Sequence, residues 1–135
     1  MTAAKILLVD DNPAHLKLAL RALEQQQAQT EILTASNVRE AKQQIESAQS
    51  GLRLAILDLK LGLESGTEIL KCLRANTHLA RVPVIMVSTS EMEDDVQCCY
   101  AAGADCYLFK SGDPEEYRSA VAAATRYCLM VSAGN

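Results

Sequence analysis

The sequence is missing several features that mark common classes of protein. Its 13 lysines and arginines form no basic run, and a net charge of -4 with a pI of about 5.1 gives no electrostatic support to binding of nucleic acid or an anionic membrane. The N-terminal residues lack the apolar stretch of a signal peptide, and no segment is apolar for long enough to span a membrane. We therefore expect a cytoplasmic protein that binds neither nucleic acid nor membrane.

Also missing is the CxxC spacing of many metal and redox sites, although the chain has five cysteines, an odd number. All of them fall inside segments predicted below to be helices or a strand, namely Cys72, Cys98, Cys99, Cys106 and Cys128. We interpret them as buried, reduced thiols, and a metal or redox site is the less favoured alternative.

What the sequence does contain is a regular alternation of apolar runs and helical segments. With 135 residues, 49% of them hydrophobic, it has the length and apolar content of one domain. Apolar runs lie at 5–9, 31–35, 53–57, 83–87 and 105–109, and helical periodicity lies at 13–27, 37–48, 66–76, 91–102 and 114–128. This predicts five βα units in a single domain at 1–135, with a core at 5–128 and a short tail at 129–135.

The connections between these segments are short, and polar residues mark the helix starts. Asn12 precedes Pro13 at the first helix, and capping-box pairs open the others: Asn37 with Glu40, Ser65 with Glu68, Ser90 with Glu93, and Asp113 with Glu116. Strands that alternate with helices through short connections form a parallel sheet with right-handed crossovers and helices on both faces. The predicted fold is a three-layer, doubly wound α/β domain.

Three aspartates stand at the ends of two of the predicted strands. Asp10 and Asp11 follow the first apolar run, and Asp58 follows the third. In a parallel sheet the carboxyl ends of strands form the ligand crevice, so these acids suggest a site for a divalent cation. A metal that neutralises Asp10 and Asp11 would let the Asp58 carboxylate attack a phosphoryl donor.

Two more polar residues end strands at the same edge of the predicted sheet. Ser88 follows the fourth run and Lys110 the fifth. A phosphoryl group on Asp58 would carry about two negative charges, which a lysine ammonium and a serine hydroxyl could bind. Either residue alone would usually be a solvated lysine or a helix cap, but five polar residues at five consistent positions favour one site.

With these motifs the chain resembles the receiver domain of two-component response regulators, from residue 5 to about 128. The resemblance rests on the acidic pair in 8–13, the acceptor in 57–61 with Gly66 eight residues on, the segment 83–88, and the segment from Gly103 through Tyr107 to Lys110. The family's chemotaxis member has the flavodoxin-like strand order 2-1-3-4-5, which the resemblance therefore implies. Segments 11–14 and 87–90 look most similar to stand-alone receivers that partner phytochrome-type histidine kinases.

The resemblance implies a phosphoacceptor and a metal cofactor. Asp58 would take a phosphoryl group from a sensor histidine kinase or a phosphotransfer protein. Asp11, Asp58 and the Lys60 backbone carbonyl would ligate Mg²⁺, and Asp10 would hold the metal through water. Such a protein is a signalling receiver rather than an enzyme, since it catalyses only its own phosphorylation and dephosphorylation.

The resemblance also implies a switch and a surface that it controls. Ser88 and Lys110 would sense the phosphoryl group, and Tyr107 occupies the position of the switch aromatic, although a half-buried strand tyrosine without a signalling role is the alternative. The altered face would comprise the fourth helix, fifth strand and fifth helix, which would bind a downstream protein or a second copy of the chain. The end of the chain just after the fifth helix fits both a complete protein and part of a longer regulator.

Four residues depart from the family pattern or tune it. Gly62 replaces a usual proline and should loosen the loop over the site, and Ser111 replaces another, so we expect a trans peptide after Lys110. Lys60 and Ser90 occupy positions that in this family tune how fast water removes the phosphate. A solvated Lys60 and a capping Ser90 are the alternatives.

Two other functions compete with that of a receiver. Haloacid-dehalogenase-type phosphatases also use a strand-end aspartate with Mg²⁺, but they need a second acid two residues later, where this chain has Lys60 after Asp58 and Asn12 after Asp10. A degenerate receiver would bind partners without phosphorylation, and it would be expected to lack one of the acids or Lys110.

Overall fold

A five-stranded parallel sheet forms the centre of the structure, a computed structural model that describes residues 4–24, 30–48 and 51–133. Its strands are β1 (Ala4–Val9), β2 (Thr30–Ala35), β3 (Leu52–Asp58), β6 (Val84–Ser88) and β7 (Cys106–Phe109), and a separate two-stranded hairpin consists of β4 (Lys60–Leu61) and β5 (Glu64–Ser65). The sheet order β2-β1-β3-β6-β7 confirms the predicted order 2-1-3-4-5 of the five main strands. The hairpin was not predicted.

Five helices alternate with the main strands, as predicted. They are α1 (Pro13–Glu24), α2 (Val38–Ala48), α3 (Thr67–Ala75), α4 (Glu93–Ala101) and α5 (Pro114–Ala133). The predicted end of α5 at residue 128 is too early, because no glycine or proline interrupts the helix before Gly134 and Leu129 still packs against the core. The residues predicted as a tail are thus helical as far as Ala133. Residues 25–27 of the first predicted helix and 134–135 of the tail lie outside the described residues.

Each strand contributes to two cores, one on each face of the sheet. Leu7 and Val9 of β1 pack on the side of α2, α3 and α4, whereas Ile6 and Leu8 pack on the side of α1 and α5. All four are at most 1% exposed. Because both faces are covered by helices, the strand reads as a continuous apolar run.

Three of the five helices begin at the predicted cap residue. Asn12 Oδ1, Asn37 Oδ1 and Asp113 Oδ1 accept hydrogen bonds from backbone N–H groups of the first turn. The predicted capping boxes at Ser65 and Ser90 are wrong, because the caps are Gly66 and Met92 and neither helix start has a side-chain cap.

The cysteines are unpaired, and four of the five are at least partly buried. Cys99 and Cys128 are buried, Cys72 and Cys106 are half-buried, and Cys98 is exposed, which contradicts the prediction for that residue. Burial raises the pKa of the Cys99 and Cys128 thiols to about 11, so both stay protonated at neutral pH. No helix in the described ranges combines the length and the apolar character that crossing a membrane requires.

Candidate functional site

Three carboxylates meet at the carboxyl ends of β1 and β3. These strands are neighbours with Val9 paired to Leu57, so the residues that follow, Asp10 and Asp58, lie side by side. Asp10, Asp11 and Asp58 each offer an oxygen, and these oxygens lie within 4.8 Å of one another. Asp10 and Asp58 are 2% and 5% exposed, and Asp11 is exposed. An oxygen-only donor set with one open side fits a hard divalent cation such as Mg²⁺.

Lys110 brings a positive charge to this cluster from the end of β7. Its Nζ lies 2.8 Å from Asp10 Oδ2 and 2.8 Å from Asp58 Oδ2, and the lysine is 5% exposed. An unpaired charge at such a depth would be costly, so the ammonium and the two carboxylates depend on one another. Three carboxylates against one ammonium still leave the cluster negative.

This environment changes the pKa of the Asp58 carboxyl. Burial raises the pKa of Asp58 from its ordinary value of 3.8 to about 6, with Lys110 opposing the rise and Asp10 adding to it. Without a cation, Asp58 therefore holds a proton to a higher pH than an exposed aspartate does. A positive charge bound beside it would favour the ionised, nucleophilic form.

Backbone N–H groups orient all three carboxylates. The Asn12 N–H donates to Asp10 Oδ1 at 2.9 Å, and the Lys60 N–H to Asp58 Oδ1 at 3.3 Å. The Gly62 N–H donates to Asp11 Oδ2 at 3.0 Å. Gly62 has φ of +63° in the two-residue turn of the β4–β5 hairpin, so a proline there could neither adopt this conformation nor donate. The glycine expected to loosen the loop instead ties the hairpin to the acid cluster.

Ser88 and Tyr107 are joined through the loop between β6 and α4. Ser88 is 1% exposed, and its Oγ accepts a hydrogen bond from the Ser90 N–H at 3.0 Å. The Tyr107 hydroxyl donates to the Ser90 carbonyl at 2.7 Å. The Ser90 hydroxyl donates to Asp95 at 2.5 Å, inside the first turn of α4. A displacement of Ser88 would therefore disturb hydrogen bonds that reach β7 and α4.

A cavity of about 170 Å³ opens above the cluster. Its lining includes the predicted residues Asp11, Asp58, Lys60, Ser88 and Lys110, and it adds Asn12, His15 and Thr89. A water molecule in the liquid occupies about 30 Å³, so the space is sufficient for a phosphoryl group with accompanying waters. The peptide between Lys110 and Ser111 is trans, as expected.

His15 is the site residue that the sequence analysis missed. It lies in the first turn of α1, and its Nδ1 is 3.2 Å from Lys110 Nζ. None of the motifs contains it. Its partner Lys110 is 95 residues away in the sequence, so the contact became evident only from the tertiary structure.

Comparison with known proteins gives one consistent family. Residues 6–122 match the family described as the response regulator receiver domain. The chain is 35% identical over 111 residues to the response regulator Rcp1 of Synechocystis, covering 78% of this chain and 76% of Rcp1. It is 30% identical over 128 residues to the probable methanogenesis regulatory protein FilR2 of Methanothrix harundinacea, covering 92% of this chain and 83% of FilR2.

Solved structures support the same relationship. The phosphorylated cyanobacterial phytochrome response regulator RcpA superposes with a TM-score of 0.85 at 30% identity, covering 94% of both chains. The Mn²⁺-bound form of Rcp1 superposes with a TM-score of 0.82 at 28% identity, covering 93% of this chain and 94% of Rcp1. One of these relatives thus carries a phosphoryl group and another a divalent cation.

Proposed function

Because this chain belongs to the response regulator receiver domain family, we propose that it receives a phosphoryl group on Asp58 from a histidine kinase or a phosphotransfer protein. The observation that carries the proposal is the position of Asp58 beside the cavity, with Lys110 at 2.8 Å and two further carboxylates within 4.8 Å. Carboxylates at this spacing repel one another, and a bound cation would relieve that repulsion.

The proposed reaction is a displacement at phosphorus. One Asp58 oxygen attacks the phosphorus, a new O–P bond forms, and the bond from phosphorus to the donor breaks with its electron pair leaving on the donor. Mg²⁺ held by Asp11, Asp58 and the Lys60 backbone carbonyl, with Asp10 acting through water, would offset the repulsion between the carboxylates and the phosphoryl group. Lys110, whose ammonium is already next to Asp58, would stabilise the phosphoryl oxygens.

Ser88 is proposed to connect this reaction to the protein surface. Its hydroxyl can donate to a phosphoryl oxygen, and a shift of Ser88 toward that oxygen would carry with it the Ser90 N–H that Ser88 now accepts. The Tyr107 hydroxyl, bonded to the Ser90 carbonyl, would have to follow or be released. A local movement of Ser88 would in this way switch the surface of α4, β7 and α5 between two states.

That face is the proposed site for a downstream protein or a second copy of the chain. Tyr100 of α4 and Phe109 of β7 are 48% and 43% exposed there, and they would offer such a partner two aromatic side chains. Sedimentation velocity with and without beryllofluoride, a phosphoryl mimic, should show mass gain with the mimic. A monomer in both conditions would leave a different protein as the partner.

The test of the phosphoacceptor is incubation with acetyl phosphate and Mg²⁺, followed by intact-mass measurement. We expect one added phosphoryl group on the wild type and on Asp94→Asn, a control in the exposed first turn of α4, and none on Asp58→Asn. Labelling of Asp58→Asn would refute the assignment. A wild type that never labels would favour the alternative, a receiver that binds partners without phosphorylation.

The metal role has its own test, in which Asp11→Ala is titrated with Mn²⁺ and observed by the relaxation of water protons. Since Asp11 is the exposed member of the cluster, its removal should weaken cation binding without unfolding the protein. Undiminished binding, or labelling of the wild type at an unchanged rate in excess chelator, would contradict the proposed site.

A further inference from the structure

We propose that His15 is a positioning residue for Lys110, acting as a neutral acceptor that keeps the ammonium over Asp58 while the charges around it change. This inference rests on the proposed function, because it assigns to His15 a part in phosphoryl binding. His15 lies on α1, whereas Lys110 follows β7, so the contact joins two distant segments of the chain.

The Lys110 ammonium has three N–H donors and three acceptors in reach. Asp10 Oδ2 and Asp58 Oδ2 each lie at 2.8 Å, and His15 Nδ1 lies at 3.2 Å. An ammonium can only donate, so His15 must accept through a lone pair on Nδ1. In the proposed arrangement the ring proton is on Nε2, since a proton on Nδ1 would face the ammonium of Lys110.

Packing holds the imidazole in place independently of the lysine. His15 is half-buried, and its ring meets Tyr117 of α5 edge to face, with centroids 6.1 Å apart and an interplanar angle of 62°. Tyr117 is itself 2% exposed, so it cannot turn away easily. The direction of the Nδ1 lone pair is thus set by the contact between α1 and α5.

The three acceptors differ in what happens to them when the site is loaded. Asp10 and Asp58 belong to the carboxylate cluster that would share its charge with a cation, and Asp58 would also carry the phosphoryl group. Both changes weaken the hold of these carboxylates on Lys110. His15 lies outside the carboxylate cluster and has no charge to share, so its bond to Lys110 remains available throughout.

The test compares His15→Leu with His15→Asn, whose Oδ1 can lie where Nδ1 lies, and with the control His78→Leu, which changes the other, exposed histidine. Beryllofluoride binding with Mg²⁺ is measured by ¹⁹F NMR, and cation affinity and unfolding by urea are measured alongside. We expect roughly fivefold weaker beryllofluoride binding for His15→Leu, the effect of losing one neutral hydrogen bond, with cation affinity unchanged. His15→Asn should regain most of the loss, and His78→Leu should match the wild type.

A wild type that binds beryllofluoride together with an unaffected His15→Leu would refute the role of His15 and leave the proposed function intact. A loss that His15→Asn shares in full, in step with equal losses of stability, would show a purely structural role. Failure of the wild type to bind the mimic or to take up phosphate would overturn the proposed function and this inference with it. Ring nitrogen shifts of His15 showing a proton on Nδ1 in the free protein would contradict the acceptor role directly.

Discussion

Gly66 packs so closely against the main chain of Asp58 that a side chain at residue 66 would collide with it. A Cβ built on Gly66 would lie 2.1 Å from the Asp58 carbonyl oxygen, and the Gly66 N–H also donates to the Leu59 carbonyl at 2.7 Å. The start of α3 therefore packs directly against the end of β3, which carries the proposed nucleophile Asp58. Only a residue without a side chain allows that approach.

The first prediction is that Gly66→Ala disturbs both stability and the site. Since the colliding atom is backbone, β3 or α3 must shift, and we expect a loss of about 2 kcal/mol in the free energy of unfolding. Phosphorylation by acetyl phosphate should slow together with it. The control is Gly112→Ala, where an added Cβ meets nothing within 4 Å. Equal stability of the two variants in urea unfolding would contradict the collision.

The second prediction concerns pH in the absence of metal. Because the folded-state pKa of Asp58 is raised to about 6, its contribution to stability is present below 3.8 and is lost as pH rises through about 6. Asp58→Asn has no such titration. Its free energy of unfolding should therefore rise relative to that of the wild type by about 1 to 3 kcal/mol between about pH 4 and about pH 7. Urea unfolding in the presence of a chelator measures this difference in stability. A stability of Asp58→Asn that falls relative to the wild type as pH rises would contradict the prediction.

The third prediction is that Tyr117→Phe stabilises the protein. The Tyr117 hydroxyl is buried and has no hydrogen-bond partner among the residues that the structure describes. Removing an unsatisfied buried hydroxyl while keeping the ring should raise the free energy of unfolding by about 1 kcal/mol. Tyr127→Phe, at a side chain that is 68% exposed, should change little. A destabilised Tyr117→Phe would reveal a partner for the hydroxyl.

The fourth prediction is that Lys60→Asn shortens the life of the phosphoryl group. Lys60 is exposed on β4 and lines the cavity, so its long side chain can obstruct the path of the attacking water. An asparagine could instead orient that water, and we expect dephosphorylation several-fold faster with phosphorylation by acetyl phosphate largely unchanged. Lys42→Asn, exposed on α2, is the control. A decay rate equal to the control would make Lys60 a solvated surface lysine.

The fold was predictable because its signals are local. Apolar runs such as that of β1 contrast with the helical periodicity after them, and the polar residues at Asn12 and Asp113 cap helices as expected. Parallel strands then bring their carboxyl ends to one edge, which is why Asp10 and Asp58 could be expected to meet. The chemical roles of these residues remain predictions.

What could not be predicted depends on contacts between distant segments. The hydrogen bond from Gly62 to Asp11 requires the positive φ of a hairpin turn. The strands of that hairpin are too short to give a pattern in the sequence. The contact of His15 with Lys110 needs α1 and the end of β7 to be in place first. Ser90 illustrates a signal that misled, since its hydroxyl bonds to Asp95 rather than capping α4.

Chemical trapping shows which residue accepts the phosphoryl group, which we propose to be Asp58. The protein is treated with acetyl phosphate and Mg²⁺, the acyl phosphate is reduced with borohydride, and peptides are sequenced by mass spectrometry. We expect the aspartate at position 58 to be converted to homoserine and Asp10 and Asp11 to remain intact. Conversion at Asp10 or Asp11, or a phosphorylated protein with an unmodified Asp58, would contradict it.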